Sequence, residues 1–109
     1  MRNVRIMRML VMFDLPTGNA SERKSYARFG KFLLNDGYTM EQFSVYTRVV
    51  LSRDSAETHL SHLKENLPEA GSVTALMLTE KQYESRKVLV STRKPVVSQD
   101  LGTQMTLVF

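Results

Sequence analysis

The first apolar run of the chain lies close to its start and predicts a buried β-strand between Val4 and Phe13. From Met9 to Phe13 the apolar residues are continuous and do not alternate with polar ones. Such continuity indicates a strand that is covered on both faces. The sheet of a small two-layer domain normally leaves one face to solvent, so we expect a second copy of the chain to cover it.

The next segment has the spacing of an amphipathic helix that runs to about Asn35. Either Asn19 or Ser21 can cap its first turn, and Gly37 provides a left-handed stop after its end. At 100° per residue, one face collects apolar side chains and the opposite face collects basic ones. The apolar set is Tyr26, Phe29 and Leu33, and the basic set is Lys24, Arg28 and Lys31.

Three more strands and one more helix are predicted before residue 80. The strands contain many β-branched and aromatic residues, and Pro68 ends the helix. The resulting order, β-α-β-β-α-β, predicts an α+β ferredoxin-like sandwich in which the first and third strands are central. The predicted bounds are 38–43 and 44–51 for the two middle strands, 54–66 for the helix and 71–79 for the last strand.

Residues 81–109 have no place in this unit, which we assign to residues 1–80. Lys87–Val90 is a short strand candidate, Pro95 interrupts the chain, and Met105–Phe109 is an apolar terminus. An apolar segment that cannot join its own domain is typical of one that docks on the sheet edge of a partner. The whole chain is therefore expected to form one structural domain that dimerises through its C-terminal segment.

Composition and charge narrow the range of functions that the chain can have. A chain of 109 residues without cysteine fits one domain and excludes disulfides, thiolate nucleophiles and iron–sulfur clusters. No stretch approaches the 18 or so apolar residues of a membrane span, so we expect a cytoplasmic protein that does not act at a membrane. Residues 1–48 carry eight lysines and arginines against four acids. A positive field concentrated in this half favours a polyanionic partner.

Asp14 is the most informative single residue. It ends the apolar central strand directly before Leu15-Pro16, at the rim of the predicted sheet. A carboxylate in this position either caps the following turn or binds a cation. Dimerisation through the open sheet face would bring two copies of Asp14 together, and a divalent cation would relieve their repulsion while binding phosphate oxygens.

The basic helix face is the second candidate. Lys24, Arg28 and Lys31, with Arg23 beside them, form a row without an intervening acid. A solvated helix face is one interpretation of this pattern. Contact with several phosphates is the other, since a row of one sign is what such contacts need.

Hydroxyl and imidazole groups complete the set of candidates. Ser44 and Tyr46 are expected at the sheet rim, where their hydroxyls either contact phosphate or satisfy backbone groups, while Phe43 and Val45 enter the core. His59 and His62 are three residues apart on the second helix. Because no carboxylate arrangement for a zinc site stands near them, we interpret them as surface histidines.

Several motifs, in this order and spacing, resemble the small CRISPR-associated protein two family, in the versions found beside single-protein (type II) effectors. They are Met12-Phe13-Asp14-Leu15-Pro16, the basic pair Arg23-Lys24, and Gln42-Phe43-Ser44-Val45-Tyr46 after Gly37. The similarity extends over essentially the whole chain.

The resemblance implies a ferredoxin-like homodimer whose C-terminal segment adds a strand to the partner. It also implies that Asp14 of both subunits holds Mg²⁺, with some family members hydrolysing phosphodiesters of RNA or DNA. Finally, it implies a role in spacer acquisition, in which the dimer binds DNA and bridges two dimers of the CRISPR integrase, CRISPR-associated protein one.

Three functions therefore stand open at the level of sequence. The first is a metal-dependent endonuclease with Asp14 as its catalytic residue, and the second is a scaffold that positions DNA for the integrase. The third is a small-ligand regulatory domain, which the fold alone does not exclude. We favour the scaffold as the main role, because one candidate carboxylate per chain is a small number of catalytic groups for a nuclease.

Overall fold

The structure is a computed structural model that describes residues 6–91, and these fold into a four-stranded antiparallel sheet with three helices. The sheet order is β2-β3-β1-β4, so β1 and β3 are central. This is the predicted ferredoxin-like arrangement, with a short third helix added at its end. In chain order the elements are β1 (Met7–Asp14), α1 (Ala20–Asn35), β2 (Thr39–Gln42), β3 (Val45–Val50), α2 (Arg53–Glu65), β4 (Ser72–Thr79) and α3 (Glu80–Glu84).

Local side-chain chemistry sets where the long helices begin and end. The side chain of Asn19 accepts a hydrogen bond of 2.8 Å from the Glu22 N–H and thereby caps α1. Gly37 has a φ of +94° just beyond α1, which confirms the predicted left-handed stop. Ser52 caps α2 in the same way as Asn19 caps α1.

The core lies between the sheet and the two long helices. Alternation along β1 directs Met9, Val11 and Phe13 towards the helices, where all three are buried. The side chains between them lie on the other face of the sheet, here called the open face. Helix α1 contributes Phe29 and Leu33 to the core, and α2 contributes Leu63.

Helix α3 covers one end of the open face. The Arg8 guanidinium donates hydrogen bonds of 3.0 and 2.7 Å to the Glu80 carboxylate, and this contact raises the pKa of Arg8 and lowers that of Glu80. The Tyr83 and Thr47 hydroxyls both donate to the Glu41 carboxylate, at 2.7 and 2.6 Å. Thr47 is only 1% exposed as a result. The rest of the open face has no such cover within residues 6–91.

The predicted alternation along the β2–β3 hairpin was wrong. Phe43, expected in the core, is 81% exposed, and Ser44 has a φ of +68°. This left-handed residue shifts the alternation by one position, and in a strand such a shift exchanges the two faces. Tyr46 therefore points into the core opposite Val11, while Val45 lies on the open face opposite Met12.

Of the C-terminal predictions, one is wrong within the described residues and the others are untested. Residues 87–91 form neither helix nor strand within the described chain, so the strand expected at Lys87–Val90 is not present there. Pro95 and the apolar terminus Met105–Phe109 lie outside the described residues. The domain boundary at residue 80 stays a prediction.

Candidate nucleic-acid interface and metal ligands

Asp14 ends β1 with its side chain on the open face and pairs with Ser72 of β4. Leu15 turns back into the core immediately afterwards. Gly71, with a φ of +99°, packs so closely here that an added Cβ would lie 2.5 Å from the Asp14 carbonyl oxygen. The backbone that carries the Asp14 carboxylate is therefore fixed by tight packing between the end of β1 and the loop before β4.

The carboxylate of Asp14 is exposed, and no group within residues 6–91 donates a hydrogen bond to it or forms an ion pair with it. The turn-capping interpretation therefore finds no support in the described chain, where Asn19 and Glu22 cap the start of α1. Carboxylate oxygens are the ligands that Mg²⁺ prefers. Asp14 accordingly fits as one ligand for such an ion, although a single carboxylate does not make a complete site.

The basic row of α1 consists of Lys24, Arg28 and Lys31, all of them exposed. Within the described chain none of the three forms a hydrogen bond or an ion pair through its side chain. At 1.5 Å per residue the row extends over about 10 Å of helix. Arg23 lies nearby and donates a hydrogen bond of 3.4 Å to the Thr17 carbonyl. These charges are free to contact an anion from solvent.

The two hydroxyl candidates, Ser44 and Tyr46, both contact other side chains of the domain. The Tyr26 hydroxyl and Ser44 Oγ are hydrogen-bonded at 2.9 Å, and Ser44 is half-buried. Tyr46 stacks on Phe13 with ring centroids 5.7 Å apart, and burial raises the pKa of the Tyr46 phenol. Placing Tyr46 at the sheet rim was wrong, for the reason of alternation given above. Its ring is part of the core, and a contact of Tyr46 with nucleic acid stays a prediction.

A second cluster, which the sequence interpretation missed, joins the end of α1 to α2. Asp36 caps the C-terminus of α1, and its two carboxylate oxygens lie 2.9 Å from His59 Nδ1 and 2.8 Å from His62 Nδ1. The prediction of plain surface histidines was wrong because their carboxylate partner comes from an element 23 residues earlier in the chain. Among residues 6–91 this is the group of three His, Asp or Glu side chains that could hold a metal ion.

The cavities described among residues 6–91 are small. Two shallow cavities of about 180 and 80 Å³ lie beside α2 and at the start of α1, respectively. Small-molecule sites usually measure about 300–1,000 Å³. Separately, none of the helices in residues 6–91 has both the length and the apolar character needed to cross a membrane.

Comparison with known proteins places this fold and these motifs in a family. The family model described as CRISPR associated protein Cas2 matches residues 7–86. A protein of Acidovorax ebreus named CRISPR-associated endoribonuclease Cas2 is 54% identical over 84 residues, which cover 77% of this chain and 82% of the relative. A Streptococcus mutans protein of the same name is 49% identical, with 71% of each chain covered. A third relative of that name, from Flavobacterium psychrophilum, is 39% identical over 91% of this chain and 85% of its own. The chain belongs to the CRISPR-associated protein Cas2 family.

Proposed function

We propose that this chain is a nucleic-acid-binding subunit of a CRISPR system that acts in the cytoplasm as a homodimeric scaffold during spacer acquisition. We further propose that the dimer carries a Mg²⁺-dependent endonuclease activity centred on Asp14. The relatives described above are named endoribonucleases, so RNA is a substrate to test beside DNA. The observation that carries the proposal is the exposed Asp14 carboxylate at the rim of an open sheet face that also exposes Met12 and Leu76.

The open face supports the homodimer. Met12 is 39% exposed and Leu76 is 47% exposed, and both lie beyond the end that α3 covers. Contiguous exposed apolar surface of this kind marks interaction sites in soluble proteins. A second copy that packs on this surface about a two-fold axis would bring its own Asp14 towards the first. The C-terminal segment is proposed to complete this contact on the sheet edge of the partner.

The chemistry assigned to the site is limited by the groups present. When bound, Mg²⁺ supplies positive charge for the phosphate oxygens and lowers the pKa of a bound water. Asp14 would contribute the negative oxygen ligands. Lys24, Arg28 and Lys31 lie on the side of α1 away from the sheet, so they would bind the nucleic-acid backbone there and would not align a phosphate at Asp14. The two histidines of the chain lie near the opposite end of β1, so neither serves as a general base beside Asp14. We therefore expect nucleic-acid binding to be the main activity and phosphodiester cleavage to be slow.

A partner integrase, CRISPR-associated protein one, fits the same proposal. A scaffold needs a rigid dimer with outward positive charge, and the basic row on α1 supplies that charge on the side away from the sheet. The alternative of a small-ligand regulatory domain is disfavoured by the small volume of the two cavities. We therefore keep the nuclease and the scaffold as two activities of one dimer.

The substitution Asp14→Asn separates the two activities. Asparagine keeps the shape but loses the negative ligand, so Mg²⁺ binding and cleavage of labelled RNA and DNA should fall together, while assembly with DNA and the integrase persists. Asp54→Asn makes the same change at an exposed acid of α2 and serves as the control. Cleavage at the wild-type rate in Asp14→Asn would exclude the metal site. Loss of assembly in that variant would exclude the scaffold as a separate role.

A further inference from the structure

We propose that Asp36, His59 and His62 form a binding site for Zn²⁺ or a similar transition-metal ion, separate from Asp14, that fastens the C-terminal end of α1 to α2. The proposal is independent of the nuclease and scaffold functions above. It starts from three side chains, one at the C-cap of α1 and two on α2, whose ligand atoms all lie within 4.8 Å of one another.

The donor atoms have the chemistry of a zinc site. Two imidazole nitrogens and one carboxylate oxygen are a common set of three protein ligands for Zn²⁺, with water in the fourth position. Mg²⁺ prefers oxygen ligands and retains its waters, so this set selects against it. The cluster and Asp14 thus differ in the class of metal that each favours.

Local structure already orients the three ligands. His59 and His62 are three residues apart and therefore project from the same side of α2. Their rings meet edge to face, with centroids 5.2 Å apart and an interplanar angle of 85°. Asp36 is held by hydrogen bonds from its own N–H to the Phe32 and Leu33 carbonyls at the end of α1. Both Nδ1 atoms consequently face the same carboxylate.

The two histidine–carboxylate contacts are close to the spacing of metal ligands, and all three ligand atoms lie within 4.8 Å of one another. The two Nδ1–Oδ contacts measure 2.9 and 2.8 Å, which are hydrogen-bond lengths. Tetrahedral ligands with bonds of about 2.0 Å stand about 3.3 Å apart. A metal that replaced the two hydrogen-bond protons would move the atoms of each histidine–carboxylate contact apart by roughly half an ångström, which side-chain rotation can supply.

Exposure provides an entry path without leaving the ligands loose. The side chains of Asp36 and His59 are 14% and 15% exposed, whereas that of His62 is 41% exposed. An ion can therefore approach from the His62 side, and a water on that side can occupy the fourth position. The two less exposed ligands would remain fixed by the surrounding packing.

Arg48 is the charge that opposes the site. Its Nη1 lies 3.4 Å from His59 Nδ1 and also donates to the main-chain carbonyl of Asp36, while its Nε donates to the Val49 carbonyl. These bonds hold the guanidinium beside the cluster, where it lowers the affinity for a cation. We therefore expect a site that fills in excess metal and not one that needs metal in order to fold.

The register of the sheet separates this cluster from Asp14. Arg48 pairs with Met9 of β1, five residues before Asp14. At about 3.3 Å per residue, the two regions lie roughly 16 Å apart along the strand. A metal in the cluster cannot share ligands with an ion at Asp14, and its position suits a brace between helices.

The composition of the chain gives a direct test by nuclear magnetic resonance. The sequence contains two histidines and no cysteine, so every imidazole signal of the untagged protein belongs to the cluster. Excess ZnCl₂ added to the wild-type protein should shift the signals of both rings with one ion bound per chain, and should raise the melting temperature. Millimolar MgCl₂ should leave the imidazole signals in place. Imidazole signals unchanged by Zn²⁺, or shifted equally by Mg²⁺, would overturn the proposal.

Variants then connect the signal to the three ligands. Changes in the second shell alone weaken metal affinity by about 10–100-fold, so Asp36→Asn and His62→Ala should each weaken Zn²⁺ binding at least tenfold by calorimetry. Asparagine keeps a hydrogen-bond acceptor for an Nδ1–H group, so Asp36→Asn should remain folded. Ser61→Ala, on an exposed position of α2, should bind as the wild type does. Wild-type Zn²⁺ affinity in both ligand variants would overturn the assignment, whereas retained affinity in Asp14→Asn is expected whatever the fate of the nuclease proposal.

Discussion

Gly71 is the residue through which the loop before β4 touches the backbone of Asp14. An alanine there must adopt a φ of +99° and place its Cβ 2.5 Å from the Asp14 carbonyl oxygen. We expect Gly71→Ala to lower the free energy of unfolding by about 2 to 3 kcal/mol, because left-handed strain and the clash with backbone add. It should also reduce any activity that depends on Asp14. Urea unfolding followed by circular dichroism measures the first effect.

The control for Gly71 is Gly18, which lies in the turn before α1. There an added Cβ would meet only the flexible end of Glu22, at 3.3 Å. Gly18→Ala should therefore change the free energy of unfolding by no more than about 0.5 kcal/mol. Equal losses in the two variants would show that the contact between Gly71 and Asp14 makes no specific contribution to the free energy of unfolding.

The Tyr38 phenol makes the free energy of unfolding depend on pH in the alkaline range. Burial raises the pKa of its phenol from 10.0 to about 12, with a further contribution from the Asp36 carboxylate. The folded state therefore holds this proton more tightly than the unfolded chain does. Its contribution to stability is complete below pH 10 and is lost as the pH rises towards 12, by about 2 to 3 kcal/mol for a shift of two units.

Tyr38→Phe removes this titration while leaving the ring in the core. Within residues 6–91 the hydroxyl donates to the Met9 sulfur alone, at 3.7 Å, so the variant should lose little stability at pH 7. Chemical unfolding of both proteins at pH 7, 10 and 12 is the measurement. The wild type should weaken more steeply than Tyr38→Phe between pH 10 and 12, and parallel curves would contradict the assignment.

Asp14, the cluster around Asp36, and Tyr46 show where sequence reasoning stops at this scale. The position of Asp14 at the end of β1 was predicted from the chain alone, because it depends on one strand and the turn after it. The cluster of Asp36 with His59 and His62 was missed because it depends on how the end of α1 packs beside α2. Tyr46 was misplaced because one left-handed residue, Ser44, reverses the two faces of β3. Pairings across elements and single turn conformations carry no periodic signal in the sequence.

At the scale of elements, the basic row of α1 makes a quantitative prediction. Changing Lys24, Arg28 and Lys31 together to alanine should weaken DNA binding and flatten the slope of log affinity against log salt by up to about 2 to 3, at roughly 0.9 per lost phosphate contact. The loss should not depend on DNA sequence. Binding titrations at several salt concentrations provide the slope.

A matched triple variant tests whether position matters as well as charge. Arg53, Lys64 and Lys81 are also exposed, and they lie on α2 and α3. Their replacement by alanine removes the same three charges but should leave the slope close to that of the wild type. An equal change in both triple variants would assign the effect to net charge, and the basic row would then be a solvated face.

The elements themselves were largely predictable. Both long helices and all four strands of the domain were expected in the order observed, because each follows from apolar spacing and from a local cap such as Asn19 or Ser52. Helix α3 was not expected. It has five residues and depends on the Thr79–Gln82 capping box and on Arg8, so it has too few turns to show a periodic pattern.

At the scale of the whole molecule, the exposed part of the open face predicts the oligomeric state. Leu76→Lys places a charge in the middle of the surface assigned to the dimer, so it should convert the homodimer to a monomer while the fold persists. Light scattering at micromolar concentration distinguishes the two species. Leu67→Lys alters an equally exposed leucine outside the sheet and should stay dimeric. A wild-type monomer, or a dimeric Leu76→Lys variant, would contradict this assignment.

Helix α3 has a consequence for how two such molecules can meet. It stands on one end of the open face, tied to the sheet through Glu80 to Arg8 and through Tyr83 to Glu41. When two open faces pack together, α3 of each copy would clash with the other copy if the faces overlapped fully. The helix therefore limits how far the two faces can overlap. The helix would thus act as a spacer that sets the offset between the subunits. Because α3 leaves uncovered only the part of the open face near Asp14, it would also determine the distance between the Asp14 carboxylates of the two copies.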